Sequence, residues 1–311
     1  MTIRHFLSVA DLEPGNMCAL VDKSLSVAKG QYDEKRPLDK KIVGIYFRGP
    51  STRTRTSFTV GATRLGAQTI HYGPSDLQVS TGESICDTAR VLSAYLDALI
   101  IRTNESMAEM ESLAQQDKMV IINALSENEH PSQIIGDLVT ILDVLGHLKG
   151  VHVLFVGEGN STAASLALGV TQIPDMRLTL VSPEGYGLPD SVLKRAQEFA
   201  KETGAAIEQH NDVNALPRNV DVVYTTRWLT MGKSKPDAHW REKFDPYRIT
   251  PALMKRVSKP SGTIFLHDLP AMRGFEVMDE VLDGPQSLVF RQSWHKLNSA
   301  MAVLMWCMCA E

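Results

Sequence analysis

The chain is poor in the features that would mark a secreted, membrane-bound or polyanion-binding protein. It has four cysteines in 311 residues, Cys18, Cys86, Cys307 and Cys309. None is in CxxC spacing, so a disulfide scaffold and a thiolate metal site are excluded and the thiols read as buried or free in a reducing compartment. No sign of charge dominates: 32 Lys and Arg against 36 Asp and Glu leave −4, which gives no long-range attraction for DNA or an acidic bilayer. No window reaches the roughly 18 apolar residues a membrane span needs, and the opening MTIRHFLSVADLEPGNM is too short and too interrupted by charge for a signal peptide. Repeats and low-complexity tracts are missing, and 43% hydrophobic with 22% charged residues excludes disorder and collagen. What remains is a cytoplasmic globular protein of one or two domains with no nucleic-acid or membrane partner. Any anion it binds must be captured locally.

What is present is a repeating grammar of apolar β-rich runs and helical patterns. Lys41 to Phe47 reads as a strand, Arg48-Gly49-Pro50 as a turn, and Phe58, Val60, Ala62 and Leu65 as the apolar side of a helix. Strands follow at 68–72, 98–101 and 120–123, with helices at about 84–94 and 106–116 between them. An apolar helix over Gln133 to Leu145 ends at the punctuation of Gly146 and Lys149-Gly150. A second series of strands then begins, at 151–156, 178–182, 220–225 and 263–267. Strands alternating with helices make parallel sheets. The predicted fold is therefore α/β, with two similar parallel-sheet domains linked by helices: residues 1–149, with a terminal helix at 293–311 packing back on them, and residues 150–292.

Chemistry concentrates where the first strand hands over to its helix, in Phe47-Arg-Gly-Pro-Ser51-Thr52-Arg53-Thr54-Arg55-Thr-Ser57-Phe58. Free backbone N–H groups of a first helical turn, three hydroxyls and the Arg53 guanidinium can converge there on a tetrahedral oxyanion. The same string also suits helix-capping hydroxyls followed by solvated arginines. It is not a Walker loop, whose glycines are missing; Met231-Gly-Lys-Ser234 has only the tail of one, with Arg227 where the first glycine belongs. Gly157-Glu-Gly159-Asn160-Ser161 after a strand suggests a dinucleotide site only weakly. Its third glycine is missing, and the next strand ends in Ser182 where a ribose-binding acid belongs.

Several spaced motifs resemble the aspartate and ornithine carbamoyltransferase family: Ser51-Thr-Arg-Thr-Arg-x-Ser-Phe58, Glu83-Ser84-x-x-Asp87-Thr88-x-Arg90-Val91-Leu92, Arg102 closing a strand, and His130-Pro131-Ser132-Gln133-x-x-x-Asp137. Arg4-His5-Phe6-Leu7-Ser8, Tyr224-Thr225-x-x-Trp228-x-x-Met231-Gly232, His267-x-Leu269-Pro270-Ala271-x-Arg273-Gly274 and Asp283-Gly-Pro-Gln-Ser287-x-Val289-Phe290 look like the ornithine branch. The resemblance implies transfer of a carbamoyl group from carbamoyl phosphate to an amine, without metal or organic cofactor, in a homotrimer or higher homo-oligomer whose sites lie in a cleft between domains. Carried over by motif, Ser51, Thr52, Arg53 and Thr54 hold the phosphate. Arg102, His130 and Thr54 point donors at the carbonyl oxygen, and Gln133 and the Leu269 carbonyl orient the carbamoyl NH2. Taken singly, His130 could be a turn histidine and Arg102 a surface ion-pair partner.

The departures from that family concern both substrates. A neighbour's loop normally brings a lysine to the phosphate, and here the stretch reads Gln78-Val-Ser80-Thr81-Gly82-Glu83-Ser84. Losing such a contact costs about 1.5–3 kcal/mol unless Gln78, Ser80 or Thr81 compensates. Thr226 stands where the ornithine branch has an aspartate for the α-ammonium, Ser161 beside Asn160 where it has an asparagine for the α-carboxylate, and Thr230 at a neighbouring hydroxyl position before Met231. Asp268 replaces the thiol of His-Cys-Leu-Pro. A carboxylate near a phosphate dianion is costly without a cation between them, so Asp268 is expected to face an acceptor cation or to take a proton during attack, the alternative being a local turn cap. Lys296 replaces an arginine and can balance donor charge without bidentate geometry. Arg227 is a candidate for an acceptor carboxylate, and Trp294 either lines the acceptor pocket or packs in the core. Together these changes imply a small-amine acceptor other than ornithine. The alternatives are an altered homologue that binds a ligand or partner, or an ordinary ornithine carbamoyltransferase.

Overall fold

The computed structural model describes residues 3–32, 36–229, 234–235 and 237–309. Its contacts divide the chain into two compact units, 1–139 with 294–311, and 140–293. The division falls inside a helix, ahead of the Lys149-Gly150 punctuation that marks it in the sequence.

The first unit contains α1 (Asn16–Ala28), β1 (Ile42–Phe47), α2 (Arg53–Arg64), β2 (Gln68–Tyr72), α3 (Ile85–Leu92), β3 (Ala98–Arg102), α4 (Ala108–Leu113) and β4 (Val120–Leu125), and α5 (Pro131–Leu145) begins in it. Its four strands are parallel in the order β2-β1-β3-β4. β1, and β3 as far as Ile101, are apolar, as expected of strands covered on both faces; Tyr46, Leu99, Ile101, Ile121 and Met110 share one buried cluster. The chain reverses direction across the sheet between β1 and β3, so the loops leaving those strands diverge and open a crevice at their C-terminal ends. Phe47 pairs with Arg102 at that edge, and the register breaks between Ile101 and Arg102. Such an irregularity re-aims the side chain that follows it.

The second unit carries β5 (His152–Val156), α6 (Ser161–Val170), β6 (Arg177–Val181), α7 (Asp190–Thr203), β7 (Ala206–His210), β8 (Val222–Thr225), α8 (Trp240–Phe244), α9 (Pro251–Val257), β9 (Ile264–His267) and α10 (Asp279–Leu282), and α11 (Val289–Met308) starts there and finishes in the first unit. The strand order is β7-β6-β5-β8-β9, all parallel. Leu154, Val156, Val223, Phe265, Trp228 and Phe244 form its core; burying each such side chain contributes about 1.5–3 kcal/mol. β7 is a fifth strand that the sequence pattern does not announce. Here the direction reverses between β5 and β8, and the loops leaving them carry Glu158, Asn160, Thr226 and Arg227. Both parallel sheets therefore place a candidate site at their reversal point. No helix among the described residues is long and apolar enough to cross a membrane.

Candidate active site

In the first unit the start of α2 differs from the starts of α3 and, in the second unit, α9. Ser84 caps α3 by accepting from the Asp87 N–H at 3.1 Å, and Thr250 caps α9 in the same way. Thr52, an equally good capping residue by type, has helical dihedrals and makes no side-chain bond at the start of α2. The capping reading of Thr52 therefore fails. The first amides of α2 face the crevice with the partial positive charge of the helix end.

Around that end stand side chains from three further elements. Thr54 is buried, and the Arg102 Nη1 donates to its hydroxyl at 3.2 Å, tying the end of β3 to the first turn of α2. His130, just before α5, is 4% exposed. Burial first, then the charges of Lys296, Arg102 and Arg53, hold its pKa well below the ordinary imidazole value. The imidazole is therefore neutral, and it lies within the field of three side-chain cations. Lys296, on α11, is itself 5% exposed and donates a short hydrogen bond to Gln133 Oε1, while Gln133 Nε2 donates to Asp137 Oδ1 at 2.7 Å. Arg53, Arg102 and Lys296 together set up a positive field around His130, which favours an anionic ligand.

Ser51, Thr52, Arg53, Thr54, Arg102, His130, Gln133 and Lys296 all belong to this unit, and charge or hydrogen bonding links Arg53, Thr54, Arg102, His130, Gln133 and Lys296. Gln78 is exposed in a short 3-10 turn, where its side-chain oxygen accepts the Thr81 hydroxyl at 2.6 Å. Leu269 is in the second unit. Trp294 is not a core residue: it is 46% exposed, beside the His295 ring. Asp137 belongs to a motif of the sequence but has no role there; its i,i+4 spacing from Gln133 on a helix is the signal that pairs them.

The second unit assembles a different site. Asp268, after β9, accepts from the Thr162 hydroxyl through Oδ2 and the Thr226 hydroxyl through Oδ1, both at 2.9 Å. It is not a local turn cap. His267 Nδ1 is 3.5 Å from Asp268, but that nitrogen accepts the Leu269 N–H at 2.8 Å, so it carries no proton to give the carboxylate. Its other nitrogen, Nε2, is placed to donate to Glu276 Oε1 at 3.3 Å, and Glu276 also accepts from the Met272 N–H at 2.5 Å. This buried pair fixes the turn that carries Asp268.

Asn160 caps α6, its Oδ1 accepting from Thr162 and Ala163 amides at 3.0 and 3.2 Å. Its NH2 is the end of the carboxamide left to meet a ligand carboxylate, beside Ser161 at the first helical position. Arg227 is half-buried, with its Nε buried and unpartnered, and the buried Trp228 Nε1 is unpartnered as well. Gly157, with φ 141°, packs against that indole; a Cβ there would meet Nε1 at 3.3 Å. Thr230 and Met231 lie outside the described residues. Thr162 has no place in the sequence-based site, since only the fold reveals that it reaches Asp268.

An α/β protein with an anion nest at one sheet's reversal point and a carboxylate pocket at the other's has the parts of a two-substrate group transferase. Residues 4–143 match the carbamoyl-phosphate-binding domain of the aspartate/ornithine carbamoyltransferases, and residues 149–307 match that family's aspartate/ornithine-binding domain. The chain is 37% identical over 303 residues to the ornithine carbamoyltransferase of Anoxybacillus flavithermus, covering 97% of this chain and 95% of that one. It is also 37% identical over 308 residues to that of Caldicellulosiruptor saccharolyticus, covering 98% of each. Among solved structures, ornithine carbamoyltransferase from Pyrococcus furiosus superposes with a TM-score of 0.92 at 34% identity, over 100% of this chain and 98% of that one. The Gloeobacter violaceus structure gives 0.87 at 35%, over 99% and 100%. The chain belongs to the aspartate/ornithine carbamoyltransferase family, and with it to the carbamoyl-transferring enzymes.

Proposed function

We propose that this enzyme moves the carbamoyl group of carbamoyl phosphate to the amino group of a small amino acid or related amine, and that this acceptor is not ornithine. The observation that carries the donor half is the convergence of Arg53, Arg102 and Lys296 on a buried, neutral His130 beside the uncapped start of α2. In the reaction the amine lone pair attacks the carbonyl carbon, the bond from that carbon to the phosphate oxygen breaks, and the proton lost by the nitrogen passes to the departing phosphate. Negative charge grows on the carbonyl oxygen and on the departing phosphate. Arg102, His130 and Thr54 supply fixed donors to the first, while Ser51, Thr52, Arg53 and the α2 amides receive the second, with Lys296 offsetting charge from behind Gln133. A neutral imidazole can fill this role through its one ring N–H. Gln133 orients the carbamoyl NH2, and Gln78 lends the phosphate a neutral contact from a neighbouring subunit of a homotrimer.

Asp268 carries the acceptor half. Its hydroxyl partners Thr162 and Thr226 give it hydrogen bonds but no charge, so a cation on the acceptor completes its pairing. Asn160, Ser161 and Arg227 supply donors for a carboxylate. A panel of amines, assayed with carbamoyl phosphate for phosphate release, tests the reading. Turnover of a cationic amine at rates well above ornithine is the expected result. Ordinary turnover of ornithine returns the acceptor to the second reading, an ornithine carbamoyltransferase, which the names of the relatives at 37% identity favour.

A further inference from the structure

Lys235 and Glu158 are far apart in sequence yet form a close ion pair in the second unit, with side chains only 6% and 18% exposed. The Lys235 ammonium also faces three aromatic rings, 5.0 Å from the centroid of Tyr186, 5.1 Å from Phe244 and 5.6 Å from Trp240. The rings are packed on one another. Tyr186 and Trp240 meet the fully buried Phe244 edge-on at 4.8 and 5.6 Å, and Trp228 lies against it at 5.1 Å. The walls therefore belong to the core and do not depend on the lysine for their place. The carboxylate wall is held by backbone: Gly159 N–H donates to the Tyr186 carbonyl at 2.7 Å, and a Cβ on Gly159 would come within 2.4 Å of Gly187.

Aromatic faces around one carboxylate are the chemistry of an ammonium site. A buried ion pair alone is a poor source of stability, because desolvation offsets the attraction, and an ion pair that merely fastens a loop needs no aromatic walls. We propose that Glu158, Tyr186, Phe244 and Trp240 form a binding site for primary alkylammonium groups, which the chain fills with its own Lys235. With Glu158 neutralised in this way, Asp268 is the carboxylate left for the acceptor's cation, and Lys235 is a specificity residue. This second half rests on the acceptor reading above; the binding site itself does not.

Lys235→Ala deletes the atoms of n-propylammonium, which makes that amine the probe. In thermal unfolding of the full chain, n-propylammonium chloride at roughly ten times its Kd raises the Tm of K235A by about 2–4 °C over sodium chloride of equal ionic strength. It leaves the wild type unmoved and has no effect on the double variant K235A/E158Q. If K235A does not fold, refolding yield in the amine against sodium chloride is read instead, and recovery supports the site. Indifference of K235A to the amine, an equal response to neutral 1-propanol, or a response that survives E158Q overturns it. In the acceptor panel K235A gains turnover on amines with an additional ammonium, and n-propylammonium suppresses that gain. An unchanged panel beside a positive binding result overturns the specificity role alone, and a wild type inactive on every amine overturns the proposed function and leaves the binding site standing.

Discussion

The two reversal points solve opposite electrostatic problems. At the end of β1 and β3, the charges of Arg53, Arg102 and Lys296 act on a neutral imidazole beside a helix start, a field that favours an anion. At the end of β5 and β8, a carboxylate is held by two hydroxyls, and the ligand must bring the positive charge. The same sheet topology thus serves both, and side chains alone assign the sign. The lesson is that the hydrogen bonds of Asp268 to Thr162 and Thr226 lie within the second unit, and those joining Thr54 to Arg102 and Gln133 to Lys296 within the first, so changes at Asp268 need not disturb the nest.

The largest break of that comparison comes from Arg102→Ala. It removes a donor to the developing oxyanion, and kcat/KM for carbamoyl transfer is expected to fall by about 10²–10³. Steady-state phosphate release reads this, and a loss below tenfold would separate Arg102 from the reacting carbonyl. Next is Asp268→Asn, which keeps the shape and both hydroxyl partners but removes the charge. One lost charge-assisted contact of about 1.5–3 kcal/mol raises the acceptor KM by roughly 10- to 100-fold. The stabilisation of the fold by carbamoyl phosphate stays as in the wild type, and if it weakens too the independence of the two sites is wrong.

The halves also differ in how far the sequence discloses them. The donor nest was legible because one contiguous stretch, Ser51 to Arg55, follows an apolar strand and opens a helix, so strand periodicity and turn chemistry place it. Most strands and the two-domain α/β class follow from the same periodicity. β7 did not, because AIEQH is a half-exposed edge strand with little apolar alternation. The acceptor pocket is built from segments around 160, 226 and 268 that are brought together only by sheet order. The sequence names Thr226 and Asp268 as separate departures from the family pattern, and the fold makes them one hydrogen-bonded pair. Lys235 and Glu158, 77 residues apart, left no local signal at all.

A pH experiment sharpens the donor side. His130 has its pKa held well below the ordinary 6.5, so below that pH the unfolded chain binds a proton that the folded chain refuses. Stability from this group is complete above about pH 6.5 and declines as pH falls toward the folded value, with a limiting slope of about 1.4 kcal/mol per pH unit. Other histidines contribute, since burial also lowers His5 and His152. The measurement is therefore the difference between wild type and His130→Asn in denaturant midpoints from pH 7 to 5. A parallel pair of curves would mean that His130 titrates normally. Saturating carbamoyl phosphate should flatten the wild-type decline, because the bound anion offsets the cations that depress the imidazole.

The smallest effect is the most discriminating about the nest itself, and it has an internal control in the same unit. Ser84 and Thr52 both precede helices, but only Ser84 accepts a bond from the turn it starts. Replacing a working cap with alanine costs typically about 1 kcal/mol, so Ser84→Ala should lower stability by about that much, with no change in donor affinity. Thr52→Ala should leave stability within about 0.5 kcal/mol, the range of an ordinary surface substitution, and weaken carbamoyl phosphate binding several-fold. Denaturant melts and ligand-induced Tm shifts on the two variants read both quantities. A Thr52→Ala protein that loses stability but not donor affinity would turn the residue back into a cap, and with it the physical basis for reading the start of α2 as a phosphate seat.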